Sequence, residues 1–152
     1  MKNTPAAAIL ILLIVAAVFA QPDKDLVGTW KMDASRSKFA NSSDAPAIVV
    51  IKYERVGDLL RETLNVTNAG GATTRTMDYA VDGRELANGA GDDRVKSRFV
   101  RKDGAVVLEW VDDGGVFTRS LTISADRRTL TIAAHDSNPD VKADDVIVFQ
   151  RQ

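Results

Sequence analysis

The chain has 152 residues, 45% of them hydrophobic, 27% charged and 6% aromatic, with no cysteine. Its 20 Lys and Arg against 21 Asp and Glu leave a formal net charge of −1, so it lacks the basic excess that nucleic-acid binding requires. The length suits one domain, and the composition is too apolar for disorder and too charged for a membrane bundle.

Residues 1–20 read MKNTPAAAILILLIVAAVFA, one lysine followed by an apolar run from Ala6 to Ala20. Ala20 and Val18 suit the −1 and −3 positions of a signal-peptidase site, and Gln21-Pro22 opens a polar stretch. Residues 1–20 are therefore expected to be a cleaved signal peptide and residues 21–152 one exported domain, periplasmic or extracellular. The alternative is a retained anchor helix, but the apolar run is shorter than the roughly 20 residues that span a bilayer. With no cysteine after the cut, neither a lipoprotein anchor nor a disulfide can form. The remaining chain must hold itself together by its core, and its length permits that.

From Leu26 onward, short runs rich in β-branched and apolar residues alternate with turn signals. They cover Leu26–Asp33, Ala47–Arg55, Leu59–Thr67, Thr73–Val81, Asp92–Arg101, Ala105–Asp112, Gly115–Ser124, Thr129–His135 and Asp144–Arg151. Phe117, Arg119, Leu121 and Ile123 share one face of their run, and Val106, Leu108 and Trp110 share one face of theirs. Lys102-Asp103-Gly104 is a hairpin signal, because glycine supplies positive φ at no steric cost. Ala34–Pro46 is polar and reads as a loop with at most one helical turn. Arg84–Gly91 holds either a short strand at Glu85–Ala87 or plain loop. About nine strands joined by short turns predict an all-β, antiparallel up-and-down barrel or open half-barrel of eight to ten strands.

Several side chains carry chemical interest. Arg119 sits between Phe117 and Leu121; if that face points inward, its guanidinium needs a carboxylate from the protein or from a ligand. The opposing reading is an arginine near an open end that snorkels to water. Trp110, Phe117, Phe99, Tyr79 and Met77 could line a cavity or fill a solid core. Arg101, beside Lys102-Asp103, reads as an exposed hairpin charge. His135 is a lone histidine, with Asp136 its nearest carboxylate, so no metal site is expected. Asp92-Asp93, Asp112-Asp113 and Asp144-Asp145 lack the ligand spacing of a calcium loop. Glu62, Glu85 and Glu109 are not brought together by anything in the sequence. There is no Gly-x-Ser-x-Gly elbow and no glycine-rich loop opening a helix, so neither an enzyme nor a cofactor is expected.

Val27-Gly28-Thr29-Trp30-Lys31-Met32-Asp33, at the start of the first strand, resembles the Gly-x-Trp opening of the lipocalins and fatty-acid-binding proteins, together the calycins. Asp92–Ser97, Lys102-Asp103-Gly104, Trp110, Thr118-Arg119 and Val148–Arg151 are similar to the C-terminal half of fatty-acid-binding proteins. Gly28-Thr29-Trp30 followed by Asp33 and Ser37-Lys38-Phe39 also resembles small exported bacterial lipocalin-like domains. The resemblance implies a barrel closed at one end by Gly28 and Trp30, with Arg151 covering the indole ring. It departs from the fatty-acid-binding pattern in two places. Ala34–Pro46 is too short and polar for a two-helix lid, and Ile147 and Phe149 stand where that family has Arg-x-Tyr. Arg119 alone has a counterpart among its carboxylate-holding residues.

The expected function is binding of a small apolar or amphipathic molecule inside a monomeric barrel. Phe117, Trp110, Leu108 and Phe99 would line the cavity and Arg119 would fix a polar head group. The alternative is a protein-interaction module without internal ligand, like small protease-inhibiting barrels that insert an N-terminal arm, here Gln21-Pro22-Asp23-Lys24-Asp25.

Overall fold

The computed structural model of the protein describes residues 22–41, 45–89, 94–112, 115–138 and 144–152. The expected signal segment, Asp92-Asp93 and Asp113 lie outside these residues. The described chain begins with a short helix, α1 (Pro22–Leu26), followed by ten strands. These are β1 (Gly28–Met32), β2 (Ile48–Val56), β3 (Leu59–Asn68), β4 (Gly71–Ala80), β5 (Leu86–Asn88), β6 (Val95–Lys102), β7 (Ala105–Asp112), β8 (Gly115–Ile123), β9 (Thr129–Asp136) and β10 (Asp145–Arg151).

All ten form one antiparallel sheet in the order β4-β3-β2-β1-β10-β9-β8-β7-β6-β5. The sheet is nearly closed, because consecutive strands pair with their neighbours and β1 pairs with β10. The β6–β7 hairpin shows how local chemistry sets register. Asp103 and Gly104 both take positive φ, at 50° and 79°, and Lys102 pairs with Ala105 across this two-residue turn. Of the two readings of Arg84–Gly91, short strand or plain loop, the strand forms, one residue later than Glu85–Ala87, as β5 on the edge of the sheet.

No strand ladder joins the edges β4 and β5. Side chains close the gap: Asp78 N–H donates to Asn88 Oδ1 at 2.7 Å, and Asn88 Nδ2 donates back to the Asp78 carbonyl at 3.1 Å. Ser97 Oγ donates to the same carbonyl at 2.6 Å. The asparagine amide thus imitates the double exchange of a β-bridge.

Trp30, Tyr53, Leu60, Tyr79, Leu108 and Leu130 are fully buried in the core of the barrel, and Phe149, 1% exposed, joins them from the cavity wall. Burying one such apolar side chain contributes roughly 1.5–3 kcal/mol. At the base, Trp30 Nε1 donates to the Leu26 carbonyl at 2.8 Å, tying β1 to α1. The Arg151 guanidinium lies 4.2 Å from the centre of the Trp30 ring and donates to the carbonyls of Val27, Asp25 and Arg127. Leu26 joins the core, and the buried Asp23 carboxylate accepts from Arg55 at 3.1 Å and Arg101 at 2.9 Å. Arg101 is exposed, as expected of a hairpin charge, and it also clamps the helix to the barrel and donates to the Val81 carbonyl at 3.0 Å. Residues 22–26 are folded against the base as a plug.

Candidate functional site

Above the packed layer, between the sheet and the loop after β1, lies a cavity of about 350 Å³. Its wall is predominantly apolar. Val49, Ile51, Leu64 and Val66 face it from β2 and β3, and Ile132, Ala134, Ile147 and Phe149 from β9 and β10. These residues alternate with outward-facing ones along each strand, and that period-two pattern aims them inward. The volume lies in the range of small-molecule pockets, about 300–1,000 Å³.

The loop covers one side of the mouth. Lys38 exchanges both backbone hydrogen bonds with Val146, at 2.7 and 2.8 Å, and Ala40 N–H donates to Asp145 Oδ1 at 2.8 Å. These ties hold Phe39 and Asn41 over the cavity.

Of the residues expected to meet a ligand, Phe117, Trp110 and Arg119 line the cavity. Trp110 and Phe117 are cross-strand partners whose rings stack with centroids 5.0 Å apart. Leu108 and Phe99 do not line it. Leu108 pairs across the sheet with Arg119 and Phe99 pairs with Leu108, which places both in the closed packing, 0% and 2% exposed. Tyr79 and Met77 share the inward face of β4 and are buried, likewise outside the cavity wall.

Arg119 points inward and is 5% exposed. Its Nη2 donates to Glu62 Oε2 at 2.7 Å and to the Tyr79 hydroxyl at 3.0 Å. Glu62 is fully buried, reaching Arg119 from between Leu60 and Leu64 on β3. The Trp110 indole N–H donates to the Tyr79 hydroxyl, and the Arg119 guanidinium lies 4.4 Å from the Trp110 ring centre. A buried, charged and hydrogen-bonded group therefore forms part of the cavity wall.

The electrostatics follow from that burial. Burial works against the Arg119 charge, but Glu62 and then the two tyrosines outweigh it and hold its pKa above the ordinary arginine value. Burial first, and the Glu62 charge second, push the hydroxyls of Tyr53 and Tyr79 above the usual 10.0. Higher on the wall, Arg75 lies 4.0 Å from the Trp110 ring centre. Partial burial and then repulsion from Arg119 hold it below the usual arginine value.

Sequence reading missed the walls from β2, β3, β9 and β10 and two charged residues, Arg75 in the wall and Glu62 behind Arg119. A signal for Glu62 existed, since it is a charge at the centre of the alternating set Leu60, Glu62, Leu64. His135 lies at the surface against Asp144, at 2.7 Å, and among the described residues no cluster of His, Asp and Glu could hold a metal ion.

No family model matches this chain, and no curated protein matches it either. Solved structures do. It is similar to fatty-acid-binding protein 1 of Echinococcus granulosus, with 12% identity, coverage of 84% of this chain and 98% of that one, and a TM-score of 0.60. It is similar to the wild-type fluorescent protein UnaG at 18% identity, with 85% of this chain and 98% of that one covered and a TM-score of 0.58. A secretary abundant heat soluble protein of Ramazzottius varieornatus superposes with a TM-score of 0.61 at 11% identity, covering 84% of this chain and 96% of that one. The chain thus has the ten-stranded calycin barrel fold shared by these proteins.

Proposed function

We propose that the chain is an exported binding protein that holds a small apolar or amphipathic molecule inside the barrel. The observation that carries this reading is the 350 Å³ apolar cavity with one buried arginine in its wall. In this reading Trp110 and Phe117 pack against the apolar part of the ligand and Arg119 contacts its polar end. The names of the solved neighbours, several of them fatty-acid-binding proteins, support the same ligand class. Export rests on the sequence of residues 1–20. The N-terminal arm of the competing reading gains nothing from the structure, because Asp23 and Leu26 hold that segment against the barrel base.

A hydrophobic fluorescent probe is expected to brighten on mixing with the protein. Ala134→Phe, which adds bulk at the cavity wall, is expected to abolish that gain while circular dichroism stays unchanged. Native mass spectrometry of protein from the exported fraction should show an added mass that organic extraction removes. A bare mass together with no probe enhancement would sink the reading.

A further inference from the structure

We infer that the cavity selects an uncharged, hydrogen-bonding amphiphile, such as a long-chain alcohol or ester, over an anionic one, and that Glu62 sets this choice. The inference rests on the carrier reading above and names its ligand class.

Arg119 is the buried polar group of the cavity wall, and its charge is already matched. Glu62 Oε2 lies 2.7 Å from Nη2, and neither side chain is more than 6% exposed. A ligand carboxylate brought to this guanidinium would place a second anion beside a buried first one, with little water to screen them. One of the two would have to take up a proton or leave, and either step costs affinity. An uncharged oxygen meets no such opposition. It can accept from Arg119 while the ion pair stays intact, and a hydroxyl can also donate.

Unused hydrogen-bonding capacity is present at this spot. Arg119 Nε is buried and makes no hydrogen bond among the described residues, and the Tyr53 hydroxyl and Glu62 Oε1 have no partner but each other. Arg119 and Trp110 belong to the cavity wall while Glu62 and Tyr53 do not, so Arg119 is the member of the ion pair that a ligand meets. The last strand adds no second cation, contributing Ile147 and Phe149 beyond Asp145. Arg75, Arg119 and Asp145 line the cavity and Glu62 stands behind Arg119, so the four charges together sum to zero. A neutral guest leaves that balance undisturbed.

The test is displacement of the bound fluorescent probe from the full chain by decanol and by decanoate, at a mildly alkaline pH where the acid is ionised. Wild type is expected to release the probe at decanol concentrations at least roughly tenfold below those of decanoate, because a second buried anion goes uncompensated. Glu62→Gln removes the resident anion and leaves Arg119 to the ligand, so decanoate is expected to overtake decanol. Decanoate equal to or better than decanol on wild type overturns the inference, whether or not the variant folds. A folded Glu62→Gln protein that keeps the wild-type order overturns the assignment to Glu62. A wild-type chain that takes up no probe at all overturns the carrier reading, and this inference with it.

Discussion

Gly28 and Arg151 compete for one space: a Cβ added at Gly28 would lie 2.7 Å from Arg151 Nη1. Gly28 also has φ of +139°, a backbone region that side chains rarely adopt. The glycine therefore lets the guanidinium reach across the chain to cover Trp30. Gly28→Ala is expected to cost about 2–3 kcal/mol by combining backbone strain with displacement of Arg151. Urea unfolding measures it, and the Trp30 indole proton should exchange faster as its cover loosens. A variant within about 0.5 kcal/mol of wild type, the scatter of neutral surface changes, would contradict the account.

The two tyrosines of the chain, Tyr53 and Tyr79, are both fully buried. Their folded pKa values lie above the unfolded value of 10.0. At alkaline pH the native state consequently holds protons that the unfolded state has lost. Their contribution to stability is complete below pH 10.0 and declines as pH rises past it. Tyrosinate absorbance should therefore appear in one step together with loss of near-ultraviolet circular dichroism. Titration of either tyrosine near its ordinary value in a protein that stays folded would refute this.

Asn88 and Ser97 act on one backbone unit, Asp78. Asn88→Ala and Ser97→Ala are each expected to destabilise by about 1–2 kcal/mol, the cost of leaving a part-buried peptide group unmatched. The double variant should lose less than the sum, since Asn88 Nδ2 also donates to Ser97 Oγ at 2.8 Å and the bonds are shared. Amide exchange at Asp78 reports the opening directly. Additive losses with unchanged exchange there would mean that the two side chains do not act as a closure.

Much of the barrel was legible because alternation and turn chemistry are local. β7 has the bounds expected from sequence, and β8 and β9 differ by one residue at one end. The site was legible only where a strand carries its own signal, as Arg119 does between Phe117 and Leu121. Its partner Glu62 lies 57 residues away, and no local pattern says which inward anion meets which inward cation. Leu108 and Phe99 lie off this cavity for a related reason. Alternation tells inside from outside, but height along the barrel axis decides between cavity wall and solid core, and height depends on the register of all ten strands. α1 escaped the strand pattern because five residues are too few for a helical period to show.

The Asn88–Asp78 contact also bears on how copies of this chain behave toward one another. A ten-stranded sheet that stops short of full closure has two edges, and exposed strand edges are templates for pairing with another molecule. Here part of that template is occupied from within: the Asp78 peptide, both its N–H and its carbonyl, is engaged by side chains of the facing edge. Lys96 and Arg98 on β6, paired with Glu85, place further charge beside the same opening. The break in the ladder thus carries its own guard against intermolecular strand addition, at a cost of two small polar side chains and no additional strand.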